Sequence, residues 1–398
     1  MTYLLLSAVF LLAFSNGAND NFKGVASLFG SDTTDFRLAL AWGTLTTFLG
    51  SVLAMVLARG LVAAFSAKGL VPPEVAEGDR FLLSVAVGAG GTVMLATRLG
   101  MPISTTHGLV GAIVGAGLPA AGAGLDVGRV ASIFLLPLVA SPFVAVILAG
   151  GLYAALHRVR THLGIRRESC LCVEEAAPLR VPARGRAAVA GTGADSVAGI
   201  ASVASVSGMA NPFPYGLSSP VLPAVHMDLS GRCTERYAGR VVGLRWQRLV
   251  DAAHFASAGL VSFARGLNDT PKIAALLVAM DLVRLGNGLL LVGGAMAVGA
   301  ILSARRVAYT MSRRITGMNP GQGLAANLAT GFLVIVASRF GLPVSTTHVS
   351  VGSLAGIGMA TGQARLATVR TIFVAWVVTL PCAAALAALV YLAGGALL

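Results

Sequence analysis

The sequence predicts an all-α polytopic membrane protein, an inverted-topology repeat of about five helical segments each, with broken helices and Ser-Thr-Thr-His hairpins. Composition is the first observation behind this prediction. Of 398 residues, 56% are hydrophobic and 11% are charged, against about 25% charged in an average soluble domain. The second is that long apolar runs recur from end to end without alternating, which favours membrane helices over a β-barrel. The third is that two polar motifs each occur twice inside these runs.

The apolar runs divide into five segments in each half of the chain. The first half has segments at 2–29 (interrupted at 15–21), 37–58, 81–98, 103–119 and 130–156. The second half has segments at 247–282 (interrupted at 265–270), 286–303, 321–338, 344–360 and 366–395. Several are short or contain glycine interruptions, which is typical of re-entrant hairpins. If all five segments of a half cross the membrane, the odd number inverts the second half relative to the first.

Basic residues gather in loops, and this sets the expected domain organisation. The net charge is +13, and the Arg-rich stretches at 157–246 and 304–320 are expected on the cytoplasmic side by the positive-inside rule. Nucleic-acid binding is therefore not expected. We predict a first transmembrane repeat at 1–156, a basic cytoplasmic central loop at 157–246 and a second transmembrane repeat at 247–398.

The first repeated motif, Pro-X-Ser-Thr-Thr-His, predicts an oxyanion site. It occurs at 102–107 and again at 343–348. Proline suits a helix start, so the serine falls near the N-cap, where N–H groups are unpaired and the helix dipole is positive. With three hydroxyl-bearing residues this makes a donor-rich pocket for a tetrahedral oxyanion. Helix capping and packed histidines are the alternative interpretation. The candidate anion ligands are Ser104, Thr105, Thr106, His107, Ser345, Thr346, Thr347 and His348.

The second repeated motif, Gly-X-Asn-Asp-X-X-Lys, predicts a cation site. It occurs at 17–23 and 266–272, in the middle of apolar segments. Glycine is expected to break the helix and free main-chain carbonyls, and Asn and Asp add side-chain oxygens that can replace the hydration shell of Na⁺. Protonation of Asp is the other way to keep it neutral at depth, and capping of a following helix is the alternative interpretation. The candidate cation ligands are Asn19, Asp20, Asn268 and Asp269.

Basic residues beside these motifs need counter-charges, because an unpaired cation is costly at membrane depth. Arg265, Lys23 and Lys272 are therefore expected to pair with Asp20, Asp269 or the bound anion, or to reach the interface. Arg265 is also a candidate for stabilising the anion directly.

Two further groups stand outside the motifs. Arg98 and Arg339, at matching places before the hydroxyl motif, are expected to anchor helix ends and could attract anions. Cys170, Cys172 and Cys233 in the central loop match no strong zinc pattern and are expected to be free thiols.

The two motif pairs, in this order, resemble those of the inorganic phosphate transporter (PiT) family. The resemblance covers nearly the whole chain apart from the central loop. It implies an inverted-repeat fold with phosphate between two Ser-Thr-Thr hairpins and Na⁺ or H⁺ at the Asn-Asp motifs. The implied anion site is Ser104, Thr105, Thr106, Ser345, Thr346 and Thr347, and the implied cation site is Asn19, Asp20, Asn268 and Asp269.

Three departures make this site less acidic than the family pattern. Many members carry a glutamate in the second helix of each half, at positions that we place near the neutral Thr47 and Asn327. Arg265 stands where histidine is frequent, and Lys23 adds a basic residue. Coupling through fewer cation sites, coupling to H⁺ in place of Na⁺, and a fully deprotonated anion such as sulfate are therefore left open.

The sequence thus predicts a secondary transporter, coupled to Na⁺ or H⁺, that takes inorganic phosphate across the cytoplasmic (inner) membrane by alternating access. The alternatives are a permease for sulfate or another tetrahedral oxyanion on the same fold and, from a different class, an anion channel. An enzyme is not expected, since no third group orients a Ser–His pair. Phosphate or sulfate and the lipid bilayer are the expected partners, no cofactor is expected, and a homo-oligomer is left open.

Overall fold

The computed structural model describes residues 1–163, 244–279 and 283–397, with the backbone of short strands between 167 and 241. Nine helices precede the central loop among the described residues: α1 (Thr2–Asp20), α2 (Ala26–Gly30), α3 (Phe36–Leu57), α4 (Arg59–Phe65), α5 (Pro73–Ala76), α6 (Asp79–Arg98), α7 (Thr105–Ala121), α8 (Val127–Val130) and α9 (Leu136–His162). Six follow it in the described part: α10 (Trp246–Ala279), α11 (Leu285–Ser303), α12 (Arg305–Tyr309), α13 (Pro320–Arg339), α14 (Thr346–Thr361) and α15 (Leu366–Leu397). The long helices α1, α3, α6, α7, α9, α10, α11, α13, α14 and α15 correspond to the ten predicted segments.

Short elements complete the backbone. The 3-10 turns are Asn21–Gly24 and Gly122–Gly124, and the π turns are Ala131–Leu135 and Thr310–Arg314. Three antiparallel strand pairs are β1 (Arg167–Glu168) with β4 (Arg236–Tyr237), β2 (Cys172–Glu174) with β3 (Ala224–His226), and β5 (Arg240–Val241) with β6 (Leu244–Arg245).

The chain divides into two compact units. One consists of Met1–Ser169 with Thr234–Leu398, and the other is Cys170–Cys233. Cys170 and Cys233 lie outside the described residues, and only the backbone of Cys172, in β2, is described. The expectation of free thiols and the division into two repeats and a cytoplasmic loop stay predictions.

Eight helical stretches of the described chain are long and apolar enough to cross a membrane, judged by length and composition: Thr2–Gly24, Phe36–Leu57, Asp79–Arg98, Thr105–Gly124, Val127–His162, Leu285–Ser303, Pro320–Arg339 and Leu366–Gly395. Two long helices fall outside this set. α14 has only 16 residues, and α10 carries the charged motif in its middle. The chain is a multi-pass membrane protein.

The two halves pack against each other in matching pairs. In each half the first long helix packs on the third, α1 on α6 and α10 on α13. The first helix of each half also packs on the second helix of the other, α1 on α11 and α10 on α3. The fifth helix of each half lies along the fourth of the other, α15 on α7 and α9 on α14. This reciprocity is what a duplicated chain produces when its two copies form one bundle.

Two helical hairpins, α6–α7 and α13–α14, carry the hydroxyl motif just after their tips. The tips turn at Gly100 (φ 70°) and Gly341 (φ 68°), left-handed values that glycine adopts without strain. α7 leads through α8 to the start of α9, whereas the end of α14 shares a cavity with His157 near the other end of α9. The start of α9 and His157 are about 30 Å apart along the helix, at 1.5 Å per residue. The hairpins thus open toward opposite ends of the bundle, as an inverted repeat requires; the inverted repeat itself stays a prediction.

The predicted break at 265–270 is wrong, because α10 continues as one helix through the motif. The break predicted at 15–21 lies later, in the 3-10 turn that follows Asp20. The motif glycines serve close packing instead. A Cβ on Gly17 would lie 1.8 Å from the main-chain oxygen of Met296, and one on Gly266 would lie 1.9 Å from that of Thr47. Glycine therefore lets two helix backbones touch at each motif.

These contacts also correct the pairing of Thr47 with Asn327. Thr47 lies on α3, the second long helix of its half, whereas Asn327 lies on α13, the third of the other half. The reciprocal glycine contacts pair Thr47 with Met296 on α11. The sequence could not fix this register because α11 has no polar motif to align. Both positions are neutral, so the site remains poor in carboxylates.

Candidate functional site

The Asn-Asp motif of α1 and the tip of the α6–α7 hairpin form one buried polar cluster. The Asp20 carboxylate accepts hydrogen bonds from Asn16 Nδ2 at 3.1 Å and from Thr105 Oγ1 at 2.9 Å. Asn19 Nδ2 donates to Thr97 Oγ1 at 2.9 Å. All five side chains are buried. Asp20 joins the helix to the hairpin, and its side chain makes no helix-capping hydrogen bond.

The second half repeats this cluster at matching positions. Thr346 Oγ1 donates to Asp269 Oδ2 at 3.3 Å, as Thr105 does to Asp20. Ser338 Oγ donates to Asn268 Oδ1 at 3.2 Å, while Asn268 Nδ2 donates to the main-chain oxygen of Val344 at 3.2 Å. The motif residues predicted to bind the anion and those predicted to bind the cation therefore belong to one cluster in each half.

Lys23 links the first cluster to the hairpin of the other half. Its Nζ donates to Asn19 Oδ1 at 2.9 Å, to the main-chain oxygen of Ile103 at 2.7 Å and to Thr347 Oγ1 at 2.7 Å. It also forms an ion pair and hydrogen bond with Asp20 Oδ1. The ammonium is thus surrounded by four oxygens, one of them from the opposite repeat.

Lys272 occupies the matching place in the second half. Its Nζ donates to Thr106 Oγ1 at 2.8 Å and to the main-chain oxygen of Val344 at 2.7 Å, and lies 3.5 Å from Asp269 Oδ1. Thr106 and Val344 match Thr347 and Ile103 of the other copy. The expected pairing of both lysines with the motif aspartates is confirmed.

Arg265 crosses from α10 to α1. Its Nη2 donates to Asn16 Oδ1 at 2.7 Å and its Nη1 to Asn21 Oδ1 at 3.1 Å. Its Nε lies 3.6 Å from Asp269 Oδ2, and this buried atom makes no hydrogen bond within the described chain. One donor of the guanidinium therefore lies beside the Asp269 carboxylate without forming a hydrogen bond.

The serines and histidines of the hydroxyl motif organise the two helix starts. Ser104 and Ser345 are the N-caps of α7 and α14, and their Oγ atoms accept from the main-chain N–H of His107 and His348 at 3.2 Å each. The two imidazole rings lie with their centroids 4.5 Å apart and their planes tilted by 50°, and His348 also stacks on Trp376 at 3.8 Å. The N-termini of both helices therefore converge. Whether these residues touch the anion stays a prediction.

The cluster carries one more positive than negative group. Its charged side chains are Lys23, Arg265, Lys272, Asp20 and Asp269, all buried. A net positive charge at membrane depth is costly unless an anion balances it. The electrostatics of the site therefore favour a bound anion.

Several functional groups escaped the sequence analysis. Asn16 and Thr97 form hydrogen bonds with motif residues. In an alignment of the two repeats they stand opposite Arg265 and Ser338, which also belong to the site, so such an alignment would have identified them. The main-chain carbonyls of Ile103 and Val344 could not be predicted, because every residue type has the same main-chain oxygen.

A separate buried network joins His254, Ser27, Asn327 and Ser257 through hydrogen bonds of 3.0–3.2 Å. Its members are scattered along the chain.

A basic cavity leads toward the first hairpin tip. Its volume is about 1210 Å³, and Gly100 at the tip of α6–α7 forms part of its wall. Its arginines are Arg37, Arg98, Arg305, Arg306 and Arg314. Of the two matching arginines singled out in the sequence, Arg98 lines this cavity. We call the cavity the basic vestibule; it would concentrate anions near the site.

A membrane helix bundle that holds a twice-repeated buried polar site between hairpin tips has the architecture of a secondary transporter. Comparison with known proteins agrees. The profile of the Phosphate transporter family matches residues 16–387. This chain belongs to that family, and it is a transporter rather than an enzyme. The resemblance identified from its motifs is confirmed.

Relatives and a solved structure extend this comparison. The chain is 28% identical to the inorganic phosphate transporter 2-1, chloroplastic, of Arabidopsis thaliana, over 97% of this chain and 71% of that protein. It is 38% identical to the sodium-dependent phosphate transporter 2 of Xenopus laevis over 135 residues, 31% of this chain and 21% of that one. A solved sodium-dependent phosphate transporter matches with a TM-score of 0.72 at 21% identity, covering 100% of both chains, which establishes the shared fold.

Proposed function

We propose that this chain transports inorganic phosphate across the cytoplasmic membrane by alternating access, with the anion bound between the N-termini of α7 and α14. The convergence of these two helix starts is the observation that carries the proposal. Thr347 Oγ1 donates to the main-chain oxygen of Ile103 at 2.9 Å, and the histidine rings after each motif are 4.5 Å apart. Helix N-termini, hydroxyls and ammonium groups are donors that suit a phosphate oxygen.

In this proposal the hydroxyl residues have two roles. Thr106 and Thr347 hold the opposite repeat's lysine in the structure described here. When phosphate enters, the lysine ammonium and the threonine hydroxyl turn part of their hydrogen bonding toward the anion. Because each threonine contacts the other repeat, anion binding and the relative position of the hairpins are coupled, which is the requirement of alternating access.

Sulfate is the second candidate, and the state of the carboxylates favours it. Both Oδ atoms of Asp20 and both of Asp269 already accept a hydrogen bond from a neighbouring side chain. A monoprotonated phosphate needs an acceptor for its proton, whereas sulfate needs only donors. Because all four carboxylate oxygens already have a donor, the site offers few free acceptors to a phosphate proton and so discriminates weakly against sulfate.

Uptake by purified protein in liposomes tests the function. Radiolabelled phosphate should accumulate in response to an imposed cation gradient, and excess unlabelled phosphate should compete. Sulfate uptake that excess phosphate leaves unchanged would transfer the assignment to sulfate. Flux that ignores every cation gradient and shows no exchange across the membrane would make the protein an anion channel.

Thr347 provides the matched pair of variants. Thr347→Val removes a hydroxyl that accepts from Lys23 and donates to Ile103. Uptake should fall about tenfold or more, since a hydrogen bond to a charged group is worth about 1.5–3 kcal/mol. Thr347→Ser keeps the hydroxyl and should retain most of the rate. Equal rates for the valine and serine variants would exclude the hydroxyl from the site.

A further inference from the structure

The two motifs predicted to hold a coupling cation hold lysine ammonium groups. Around Lys23 Nζ lie a carboxylate, an amide oxygen, a main-chain carbonyl and a hydroxyl, from Asp20, Asn19, Ile103 and Thr347. This mixture of neutral and anionic oxygens is the donor set that hard metal cations take in proteins. The side chain of Lys23 is 1% exposed, so its charge is fully inside the protein.

The second motif repeats the arrangement. Lys272 Nζ meets a carboxylate, a main-chain carbonyl and a hydroxyl, from Asp269, Val344 and Thr106. As in the first motif, the carboxylate belongs to the residue three positions earlier in the chain, and the carbonyl and hydroxyl come from the two different hairpins. Three of the four oxygens around Lys23, all but the amide oxygen of Asn19, therefore have a counterpart at the matching position around Lys272.

The distances identify these groups as ligands of the ammonium. The Nζ–O separations of 2.7–2.9 Å at Lys23 are those of charge-assisted hydrogen bonds. A Na⁺ ion in either oxygen set would have to displace the ammonium or lie beside it. A Na⁺ ion beside the ammonium would be repelled strongly, because two like charges in contact repel strongly in a low-dielectric interior. The residues present therefore do not fit Na⁺.

The charge of the cluster points the same way. With both lysines protonated the site already has one excess positive charge before any ion binds. A divalent sulfate or hydrogen phosphate changes the net charge of the site from +1 to −1, and two added Na⁺ ions would return it to +1. The lysines thus supply the positive charge that a coupling cation would otherwise bring with the anion.

We propose that Lys23 and Lys272 are tethered replacements for the two cations of the predicted sites, so that this protein binds no Na⁺ at either motif and carries its anion independently of Na⁺. The Na⁺-independent transport in this inference rests on the proposed function. Of the two coupling ions left open by the sequence, it leaves H⁺.

Equilibrium binding of radioactive Na⁺ to the detergent-purified protein tests the inference without any transport assay. The wild-type protein should show no saturable Na⁺ binding and the same thermal stability in Na⁺, K⁺ and choline salts. Lys23→Ala should gain saturable binding that approaches one Na⁺ per molecule, with a rise in melting temperature that Na⁺ gives and K⁺ and choline do not. Lys272→Ala should behave in the same way.

Two controls separate an opened cation site from a general loss of stability. Lys23→Met removes the charge but fills the space, so it should lower the melting temperature without any Na⁺ response. Lys68→Ala removes an exposed lysine paired with Glu77 and should change neither quantity.

Saturable Na⁺ binding by the wild-type protein would overturn the inference, and this measurement does not depend on any variant folding. Folded Lys23→Ala and Lys272→Ala proteins that both lack a Na⁺-specific response would overturn it as well. Absence of phosphate and sulfate uptake, with the binding pattern as expected, would instead refute the proposed function and leave the tethered cations in place.

Discussion

Neutralising Asp20 should destabilise the protein strongly, because it removes the counter-charge of a buried lysine. The Asp20 and Lys23 side chains are 2% and 1% exposed. Removing one partner of such a pair leaves a buried charge and costs about 3–5 kcal/mol. In Asp20→Asn, one carboxylate oxygen becomes an NH₂ group that faces the donor of Asn16, which adds an unmet hydrogen bond. The three other acceptors of Lys23 limit the effect, so we expect about 3–5 kcal/mol in total.

The free energy of unfolding can be measured by SDS titration from mild detergent, followed by far-UV circular dichroism. Asp35→Asn is the matched control, because this exposed aspartate caps α3 and asparagine caps equally well. The double variant Asp20→Asn/Lys23→Met removes both charges and should recover a large part of the loss, which a double-mutant cycle measures. A loss below about 1 kcal/mol for Asp20→Asn would refute the reasoning, since it would mean that the lysine is not buried as a charge.

The remaining predictions concern packing and anion access. Gly17→Ala should abolish the folded peak in size-exclusion chromatography, since its Cβ would lie 1.8 Å from a main-chain oxygen of α11. The control Gly294→Ala, whose Cβ would have nothing within 4 Å, should be at least as stable as wild type. A well-folded Gly17→Ala protein would contradict the close helix contact. Arg98→Gln with Arg306→Gln removes two charges of the basic vestibule and should raise the KM for anion uptake several-fold at low salt and little at high salt. Arg59→Gln, which does not line that cavity, should leave the KM unchanged, and a KM that the vestibule variants leave unchanged would remove the vestibule from the anion path.

Local sequence patterns were sufficient for much of the site. Proline followed by serine predicted the starts of α7 and α14, because capping depends on neighbouring residues alone, and both serines are N-caps. The Asn-Asp motif predicted a cation site, which stays a prediction, whereas the partners that its side chains need inside an apolar run are present in the structure. The same local reasoning failed at 265–270, where glycine suggested a broken helix. Gly266 instead allows close contact with another helix, and a local sequence pattern does not predict such a contact.

Repetition and composition within the sequence by themselves determined the class of protein and the paired motifs. These are consequences of hydrophobicity and of short-range capping and charge, which residue order contains directly. Only the tertiary structure decided that Lys23 reaches Thr347 and that Lys272 reaches Thr106, each in the opposite half of the chain. It also decided that the carbonyls come from Ile103 and Val344. Those contacts depend on how the two repeats pack, and the residue type does not show which main-chain oxygen will make a contact between distant segments.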